Sequence, residues 1–529
     1  MDAWRAVVMV GFLLAGCGGP SGEGNQEDER PNDSLPTDMP DTVPPDGQEQ
    51  EEPGETDRQQ PPAPEPGPTG PSGQPALGTA RRVTELFPAV DTAPWISPAP
   101  KELVAFQDAL YFAANLEDGR SGVWRSDGTS AGTFAVKEFP ALEDTHRGAV
   151  DELTPVGAAL FFTARDAAHG QELWVSDGTS PGTRLVRDLV PGTADGSPYR
   201  LTALGTSLVF FQYVPEQGST PGHSLVWRTD GTAAGTVLIK DLGAESSLST
   251  SEARVGGTLY FVVSDAAHGT ELWKTDGTAS GTGLVRDIEP GAANAYPHQL
   301  QVVGSQVFFL TTTSSFGTQL WRTNGTEAGT QQVRELSAGP DGAIPHLLPA
   351  VGSTLYLAQA EPSDQLMRLY TLGAGETEPT LVATLPNPYA EEQDALPTVT
   401  TAAVAGGKVF FGLGITSSGP APRDVQLWVS DGTGAGTVRL ARPLSLSDEF
   451  TTQLYPVGDQ VLFSAMGQGT GLEPWVSDGT AAGTRRLQDL APGADGSFPR
   501  EYTRVGDAVF FVAYTPEQGN EVWILPPAP

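Results

Sequence analysis

Short apolar runs recur along residues 79–529 at a spacing of about 50 residues, each with alternating apolar and polar neighbours. The third residues of these runs are Tyr111, Phe161, Phe210, Tyr260, Phe308, Tyr356, Phe410, Leu462 and Phe510. Within the second unit the segments "LTPV", "ALFFTAR", "QELWVSD" and "TRLVRDL" each alternate like a strand, with Gly, Asp and Pro between them. No helical period is sustained, so the pattern predicts an all-β chain. Four strands per unit, repeated many times, are typical of a β-propeller.

The two ends of the repeat region complement each other. The ninth unit stops at "EVWILPPAP" and lacks a fourth strand, whereas "RRVTELFP" (residues 81–88) aligns with the fourth strand "RLVRDLVP" (residues 184–191) of the second unit. We therefore expect a single large β-propeller in which the N-terminal strand 81–88 completes the last blade. Such closure leaves no exposed sheet edge. Nine units can be counted, or eight if the degenerate sixth unit is not a blade.

A twelve-residue motif, "ELWVSDGTSPGT" from Glu172 to Thr183, returns in most units. Asp-Gly between two strands indicates a hairpin turn, in which Asp accepts hydrogen bonds from nearby amides. The aspartates are interpreted as structural turn residues or, alternatively, as calcium ligands: Asp127, Asp177, Asp230, Asp276, Asp431 and Asp478. The tryptophans are interpreted as aromatic fillers between blades, with sugar stacking as the alternative: Trp124, Trp174, Trp227, Trp273, Trp321, Trp428, Trp475 and Trp523.

This motif resembles the ELWxxDGT repeat family of bacterial surface and secreted proteins. The resemblance extends over residues 80–529, with Asn324 in place of aspartate in the fifth unit and no motif in the sixth. The resemblance implies architecture and carries no activity. An acidic loop, "RDLVPGTADGS", follows the fourth strand of the second unit. Its aspartates either cap loop amides or, as Asp188 with Asp195, share a cation.

The N-terminus reads "MDAWRAVVMVGFLLAGCGG", an apolar run of signal-peptide length that ends at Cys17. "LAGC" resembles the lipobox of bacterial lipoproteins. The resemblance implies a signal peptide over residues 1–16, lipidation of Cys17 and attachment to a membrane. Because Gly18 and not aspartate follows, it further implies an outer-membrane lipoprotein, periplasmic or surface-exposed. Residues 17–78 are rich in proline and acidic residues and predict a disordered tether to a propeller over 79–529.

Charge and motifs narrow the function classes. The chain carries 65 acidic and 30 basic residues, a net charge of −35, which argues against nucleic-acid binding. Its single cysteine excludes an intramolecular disulfide. No nucleophile-elbow, zinc-protease or phosphate-loop motif is present, so no catalytic residue is predicted and calcium is the one cofactor considered.

Nearly every recurrent residue has a structural explanation, which favours a non-catalytic binding or scaffold module. We expect a monomer whose partner is a polysaccharide or an envelope protein. The alternative is a glycan-active enzyme, sialidase-like, glycosidase-like or a lyase, which requires paired carboxylates at the channel. The irregular insertions at residues 216–223 and 417–424 discriminate the two hypotheses. A cluster of Arg, Tyr and carboxylate side chains there would favour the enzyme.

Overall fold

The computed structural model describes residues 77–83, 100–116, 118–141, 150–312, 317–339, 342–392, 395–416, 424–441, 453–467, 469–493 and 496–528. Every regular element in these ranges is a β-strand, and the strands form nine antiparallel four-stranded sheets. None of the described residues belongs to a helix that could cross a membrane. The predicted signal peptide, Cys17 and almost all of the tether lie outside the described residues, as does most of the 417–424 insertion.

Each sheet takes its strands from one unit of the sequence, in chain order. The first four blades comprise β2–β5 (Pro100–Phe106, Ala109–Asn115, Ser121–Ser126, Phe134–Phe139), β6–β9 (Val150–Val156, Ala159–Asp166, Gly170–Ser176, Arg184–Arg187), β10–β13 (Pro198–Leu204, Ser207–Val214, His223–Thr229, Val237–Ala244) and β14–β17 (Ser247–Val255, Thr258–Asp265, Gly269–Thr275, Gly283–Leu284).

The remaining blades follow the same order. They comprise β18–β21 (His298–Val303, Gln306–Thr312, Thr318–Thr323, Gln331–Ser337), β22–β25 (Ile344–Val351, Thr354–Glu361, Leu366–Gly373, Thr380–Leu385), β26–β29 (Pro397–Ala405, Lys408–Ile415, Asp424–Ser430, Val438–Ala441), β30–β33 (Tyr455–Val457, Gln460–Gly467, Thr470–Ser477, Arg485–Arg486) and β34–β36 (Arg500–Val505, Ala508–Thr515, Gly519–Leu525) with β1 (Arg81–Arg82).

Two adjacent apolar residues of each second strand, both aromatic in most blades, explain how the blades stack. Successive side chains of a strand point to opposite faces. Accordingly, Phe162 packs with Tyr111 of the preceding blade, whereas Phe161 packs with Phe210 of the following blade. Nine buried clusters of this kind each combine residues of two neighbouring blades. The β-propeller prediction is confirmed, with nine blades rather than eight.

The third unit differs in register from the sequence alignment. The residue directly across from the tryptophan is Phe162 in blade two and Phe210 in blade three. Phe210 is therefore equivalent to Phe162 and not to Phe161. The apolar run of this unit extends one residue further relative to its neighbours, a shift that the aromatic pattern alone conceals.

The ring closes through the N-terminal strand, as predicted from the chain ends. Arg81 and Arg82 of β1 pair with Ile524 and Trp523 of β36. The Val83 amide donates to the Val522 carbonyl at 2.9 Å. Residues 84–88 of the predicted strand lie outside the described residues. A buried cluster that includes Val83, Leu103, Phe112, Phe510 and Ile524 joins blade nine to blade one.

Candidate functional site

The repeated Asp-Gly-Thr turns are self-contained hydrogen-bond networks. In blade four, Asp276 Oδ1 accepts from the Thr278 amide at 2.9 Å and from its hydroxyl at 2.6 Å. Thr278 Oγ1 accepts from the Gly281 amide at 3.0 Å, and the Thr282 hydroxyl donates to the Thr278 carbonyl at 2.6 Å. The same Asx contact to the threonine two residues on is made by Asp127, Asp177, Asp230, Asn324, Asp431 and Asp478. An amide replaces the carboxylate in blade five, so the turn itself does not require a charged residue.

The second glycine of the turn is needed because the aspartate fills its side-chain space. A Cβ on Gly281 would lie 2.0 Å from Asp276 Oδ1, whereas a Cβ on Gly283 would meet nothing within 4 Å. We expect Gly281→Ala to lower the free energy of unfolding by about 1–3 kcal/mol, since the carboxylate must leave its two donors. Gly283→Ala, two residues away, is the matched control and should be neutral or slightly stabilising. Urea midpoints of the two variants measure the difference; equal midpoints would contradict this explanation of the motif.

The motif tryptophans lie between blades. Trp174, Trp273, Trp321 and Trp428 are buried. Trp124, Trp227, Trp475 and Trp523 are half-buried. Several stack on the aromatic residue across the strand pair, as Trp227 does on Phe210 with ring centroids 6.2 Å apart. None of the eight is among the large hydrophobic residues exposed in the described part of the chain.

The antiparallel order places the turns and the channel mouth on opposite faces of the ring. In each blade the first-to-second and third-to-fourth turns lie on one face. The start of the first strand and the second-to-third loop lie on the other. The first strands of neighbouring blades contact one another in most blades and so surround the central channel. The starts of these strands, opposite the Asp-Gly-Thr turns, therefore form the mouth of the channel.

A bulge at the start of several first strands joins each blade to the next. The bulge residue has a left-handed backbone, with φ of 55° at Glu102, 60° at Glu152 and 56° at Glu501. Its side chain accepts a hydrogen bond from a backbone amide of the following blade. The pairs are Glu102 Oε2 with Leu153 (2.9 Å), Glu152 Oε2 with Leu201 (2.7 Å), Gln299 Oε1 with Leu347 (2.7 Å) and Glu501 Oε2 with Leu103 (3.1 Å). We call this arrangement the bulge latch.

A cavity of about 860 Å³ opens at the channel mouth over blades one to three. We call it the channel-mouth cavity. Its lining includes Lys101, Glu102, Asp151, Glu152, Tyr199 and Tyr213. Pro215, which immediately precedes the 216–223 insertion, also lines it. Tyr213 is 42% exposed, so its ring is available to a ligand. Charged and aromatic side chains thus converge beside one of the two predicted insertions.

The carboxylates of this cavity differ in their environments. Burial raises the pKa of Glu102 and of Glu152, and the backbone amides that each accepts offset part of the rise. The charge of Asp151 raises the pKa of both glutamates further. Asp151 itself forms an ion pair with Lys101. Glutamates with a raised pKa therefore stand beside an aspartate that forms an ion pair with a lysine.

The far side of the channel mouth carries neutral groups. Burial lowers the pKa of His298, and burial together with His298 lowers the pKa of His346 to about 4. His298 Nδ1 lies 2.9 Å from the Tyr296 carbonyl, and His346 Nε2 lies 3.3 Å from the Thr398 hydroxyl. These histidines contrast with the Lys101–Asp151 ion pair and the two glutamates that blades one and two bring to the mouth.

Sequence reasoning missed these residues, although a signal was present. Pro-x-x-Leu begins the first strand at Pro100, Pro198, Pro297 and Pro345, and "PREY" takes its place at Pro499. The two middle positions of this short motif face the channel or form the bulge latch. They change from blade to blade, so they do not appear in a consensus.

The predicted metal ligands are not gathered into a cluster. Among the described residues, no group of three or more His, Cys, Asp or Glu side chains could hold a metal ion. Asp195, considered as a partner of Asp188, forms an ion pair with Arg165 and accepts the Gln171 amide at 2.9 Å. His169 and His268 bind Asp166 and Asp265 of their own loops.

Comparisons with known proteins give fold relatives only. No family model and no curated protein matches the chain. Among solved structures it is similar to a Mycobacterium tuberculosis puromycin-hydrolyzing peptidase (13% identity, 83% of this chain and 61% of that one, TM-score 0.41). It is also similar to a puromycin hydrolase (14%, 70% and 59%, TM-score 0.35) and to an oligogalacturonate lyase in complex with manganese (11%, 63% and 98%, TM-score 0.36). The chain spans about three-fifths of the two puromycin-hydrolysing proteins.

The prediction of a non-catalytic binding or scaffold module is wrong against these structures, which are named for hydrolase, peptidase and lyase activities. It depended on the regularity of the repeat and on the lack of a titratable cluster within any one unit. The channel mouth assembles such a cluster from successive units, with Lys101 and Glu102 from the first and Asp151 and Glu152 from the second.

Proposed function

We propose that this chain is a glycan-active enzyme that hydrolyses polysaccharide chains in the channel-mouth cavity, with Glu152 as the proton donor and Asp151 as the carboxylate base. The observation that carries the proposal is the pairing of these two carboxyl groups in one open cavity. Glu152 is half-buried and has a raised pKa, and Asp151 is paired with Lys101. Glycoside hydrolysis requires this combination of a protonated and an ionised carboxyl group.

The chemistry assigns one proton transfer to each residue. Glu152 gives its proton to the oxygen of the scissile glycosidic bond, and Asp151 takes a proton from the attacking water. The water oxygen then joins the sugar carbon as the bond to the leaving group breaks. Glu152 Oε2 is already held by the Leu201 amide at 2.7 Å, so Oε1 is the oxygen that carries the proton. Lys101 forms an ion pair with Asp151 and so orients it.

Two tyrosines supply the surface against which sugar rings would lie. Tyr213 is exposed at the cavity, and its hydroxyl approaches Gly222 of the 216–223 insertion so closely that a Cβ there would be 2.3 Å away. Tyr199 packs against Phe211, with ring centroids 6.2 Å apart, which fixes its orientation. Aromatic faces beside carboxylates are an arrangement suited to carbohydrate recognition.

The test measures whether the full chain releases reducing ends from a panel of bacterial and plant polysaccharides. We expect Glu152→Gln to reduce kcat on the most responsive substrate by about 10²–10⁴-fold, the usual contribution of a general acid. The fold should survive, because Gln299 forms the same bulge latch in blade five. Wild-type kcat/KM should fall as pH rises through the raised pKa of Glu152, since the protonated form is the active one.

Glu501→Gln is the matched control. Glu501 occupies the same bulge position in blade nine and is not part of the channel-mouth lining. Its substitution should leave kcat unchanged. Activity of Glu152→Gln equal to that of Glu501→Gln, or no reducing ends from any polysaccharide, would contradict the proposed function. The lipid anchor, the envelope location and the repeat-family membership stay predictions of the sequence, and the proposal does not depend on them.

A further inference from the structure

The glutamate two residues before the motif tryptophan is completely enclosed in four of the described blades, and Glu521 of blade nine is one of them. The other three, Glu172, Glu271 and Glu473, are likewise 0% exposed, which is exceptional for a carboxylate. Each lies beneath the acidic loop that follows the fourth strand of its own blade. In blade two a Cβ on Gly196 of this loop would lie 2.3 Å from Glu172 Oε1. The three glutamates therefore face loop residues and not the solvent.

A second carboxylate in the loop lies near enough to each enclosed glutamate for its charge to raise the pKa of that glutamate. Asp188, Asp287 and Asp489 occupy the same position of the loop in blades two, four and eight. The Oδ1 atom of each is buried and has no hydrogen-bond partner. In blades two and four the other oxygen accepts a loop amide, from Gly192 at 3.2 Å and from Gly291 at 3.3 Å. The fold thus holds two like charges together, an arrangement that requires a proton or a cation.

The oxygens of the glutamates in blades two and four are left open. Glu271 Oε1 accepts the Glu289 amide at 2.9 Å, whereas Glu271 Oε2 has no partner. No hydrogen bond of normal geometry reaches either oxygen of Glu172, although the Leu189, Val190 and Gly196 amides face this carboxyl group. Each of these two blades therefore presents at least one unpartnered glutamate oxygen and one unpartnered aspartate oxygen within the same enclosure.

Blade eight shows how the same site is satisfied without an added cation. Glu473 accepts the Leu490 amide at 2.9 Å, the Ala491 amide at 3.2 Å and the Ser497 hydroxyl at 2.7 Å. Arg486 lies 3.1 Å from Asp489 Oδ2 and supplies the positive charge. Only Asp489 Oδ1 is left without a partner.

In blades two and four the nearby arginine points elsewhere. Arg187 donates to the Thr236 carbonyl of the next blade at 2.8 Å, and Arg286 donates to the Thr330 carbonyl at 2.6 Å. Each guanidinium also lies 5.6 Å from the centroid of a tryptophan ring of that blade. In the described part of the chain, no arginine or lysine forms an ion pair with Asp188 or Asp287. The histidine nearest to the blade-two pair, His169, is bound to Asp166.

We propose that blades two and four each bind one calcium ion, between Glu172 and Asp188 and between Glu271 and Asp287, and that blade eight does not. Calcium prefers carboxylate and carbonyl oxygens and takes six to eight of them. Two carboxylates provide the charge, and loop carbonyls and water would complete the shell. The sequence suggested the exposed Asp-Gly-Thr turns as calcium ligands. The present proposal assigns calcium instead to the enclosed glutamates, which lie toward the other face of the blades.

Equilibrium dialysis of the EDTA-stripped full chain against CaCl₂ tests this assignment. We expect two calcium ions per chain, one in Glu172→Gln, and none in the double variant Glu172→Gln with Glu271→Gln. Glu473→Gln is the matched control and should retain two. Calcium should also raise the Tm of the wild type by several degrees and leave that of the double variant unchanged.

Circular dichroism establishes that each variant is folded. If the double glutamine variant does not fold, Asp188→Asn with Asp287→Asn replaces it, with the same expected loss. Three outcomes would overturn the proposal. They are no bound calcium in the wild type, an unchanged count in the double variant, and a wild-type Tm that responds to pH but not to calcium, which would mean that the carboxyls share protons instead. None of these outcomes bears on the proposed glycan hydrolysis.

Discussion

Deleting residues 77–83 from the full chain should abolish the closed ring and with it most of the stability of the propeller. The deletion removes the β1–β36 pairing, the Val83 contact with the Val522 carbonyl and the Gly78 contact with the Pro526 carbonyl at 2.7 Å. It also uncovers the cluster between blades nine and one. Each buried backbone group left unpaired costs about 1–3 kcal/mol, and losing the burial of the Val83 side chain costs roughly a further 1.5–3 kcal/mol. Since domains are stable by only about 5–15 kcal/mol, we expect loss of cooperative unfolding.

Thermal unfolding and size-exclusion chromatography check this expectation. Without β1, strand β36 becomes an unpaired edge strand that can pair with another chain. The deletion variant should therefore also elute as oligomers. The control is a deletion of the same length within the predicted tether, residues 61–67, which should melt like the full chain. A monomeric variant that lacks 77–83 and melts at the wild-type temperature would mean that other contacts close the ring. Those contacts are the Glu501 bulge latch and the Thr503 hydroxyl bond to the Leu103 carbonyl at 2.8 Å.

The fold could be predicted because its constraints repeat. Every blade needs apolar residues on both faces of its second strand, so a pair such as Phe161–Phe162 returns in each unit, with a leucine as one member in units six and eight, and reveals the period. Ring closure was also predictable, because the last unit lacks a strand that the first ordered segment supplies. The one-residue shift at Phe210 was not, since either aromatic of the run satisfies the same pattern. Only its pairing with Trp227 identifies the face to which it points.

The residues of the channel-mouth cavity could not be predicted, because their side chains differ from one unit to the next. Asp151 and Lys101 stand about one repeat apart in sequence, and only the curvature of the ring brings them into an ion pair. Residues that serve one site are under no requirement to recur, so a consensus removes them. Glu172 and Glu271 failed differently. They do recur, and were therefore absorbed into the repeat motif, whereas their enclosure and their open oxygens are visible only in three dimensions.

Truncating Phe162 to alanine should be among the most destabilising single substitutions in the chain. The side chain is 0% exposed at the interface of blades one and two, where it contacts Phe139 with ring centroids 6.2 Å apart and lies across from Trp174. Removing an enclosed phenylalanine costs about 3–5 kcal/mol, because the transfer free energy is lost and the cavity does not collapse fully. Urea unfolding followed by far-UV circular dichroism measures the loss without relying on the neighbouring tryptophan.

Phe134→Ala is the matched control for this prediction. Phe134 lies on the outer strand β5 of the adjacent blade and is 47% exposed, with the Arg125 guanidinium 5.7 Å from its ring centroid. Its truncation should cost less than about 1 kcal/mol, the value of an exposed cation–π contact and little more. A Phe162→Ala midpoint no lower than that of Phe134→Ala would mean that neighbouring blades repack freely. The ring would then owe its stability to backbone pairing and the bulge latches, because the aromatic wedge between blades would contribute little.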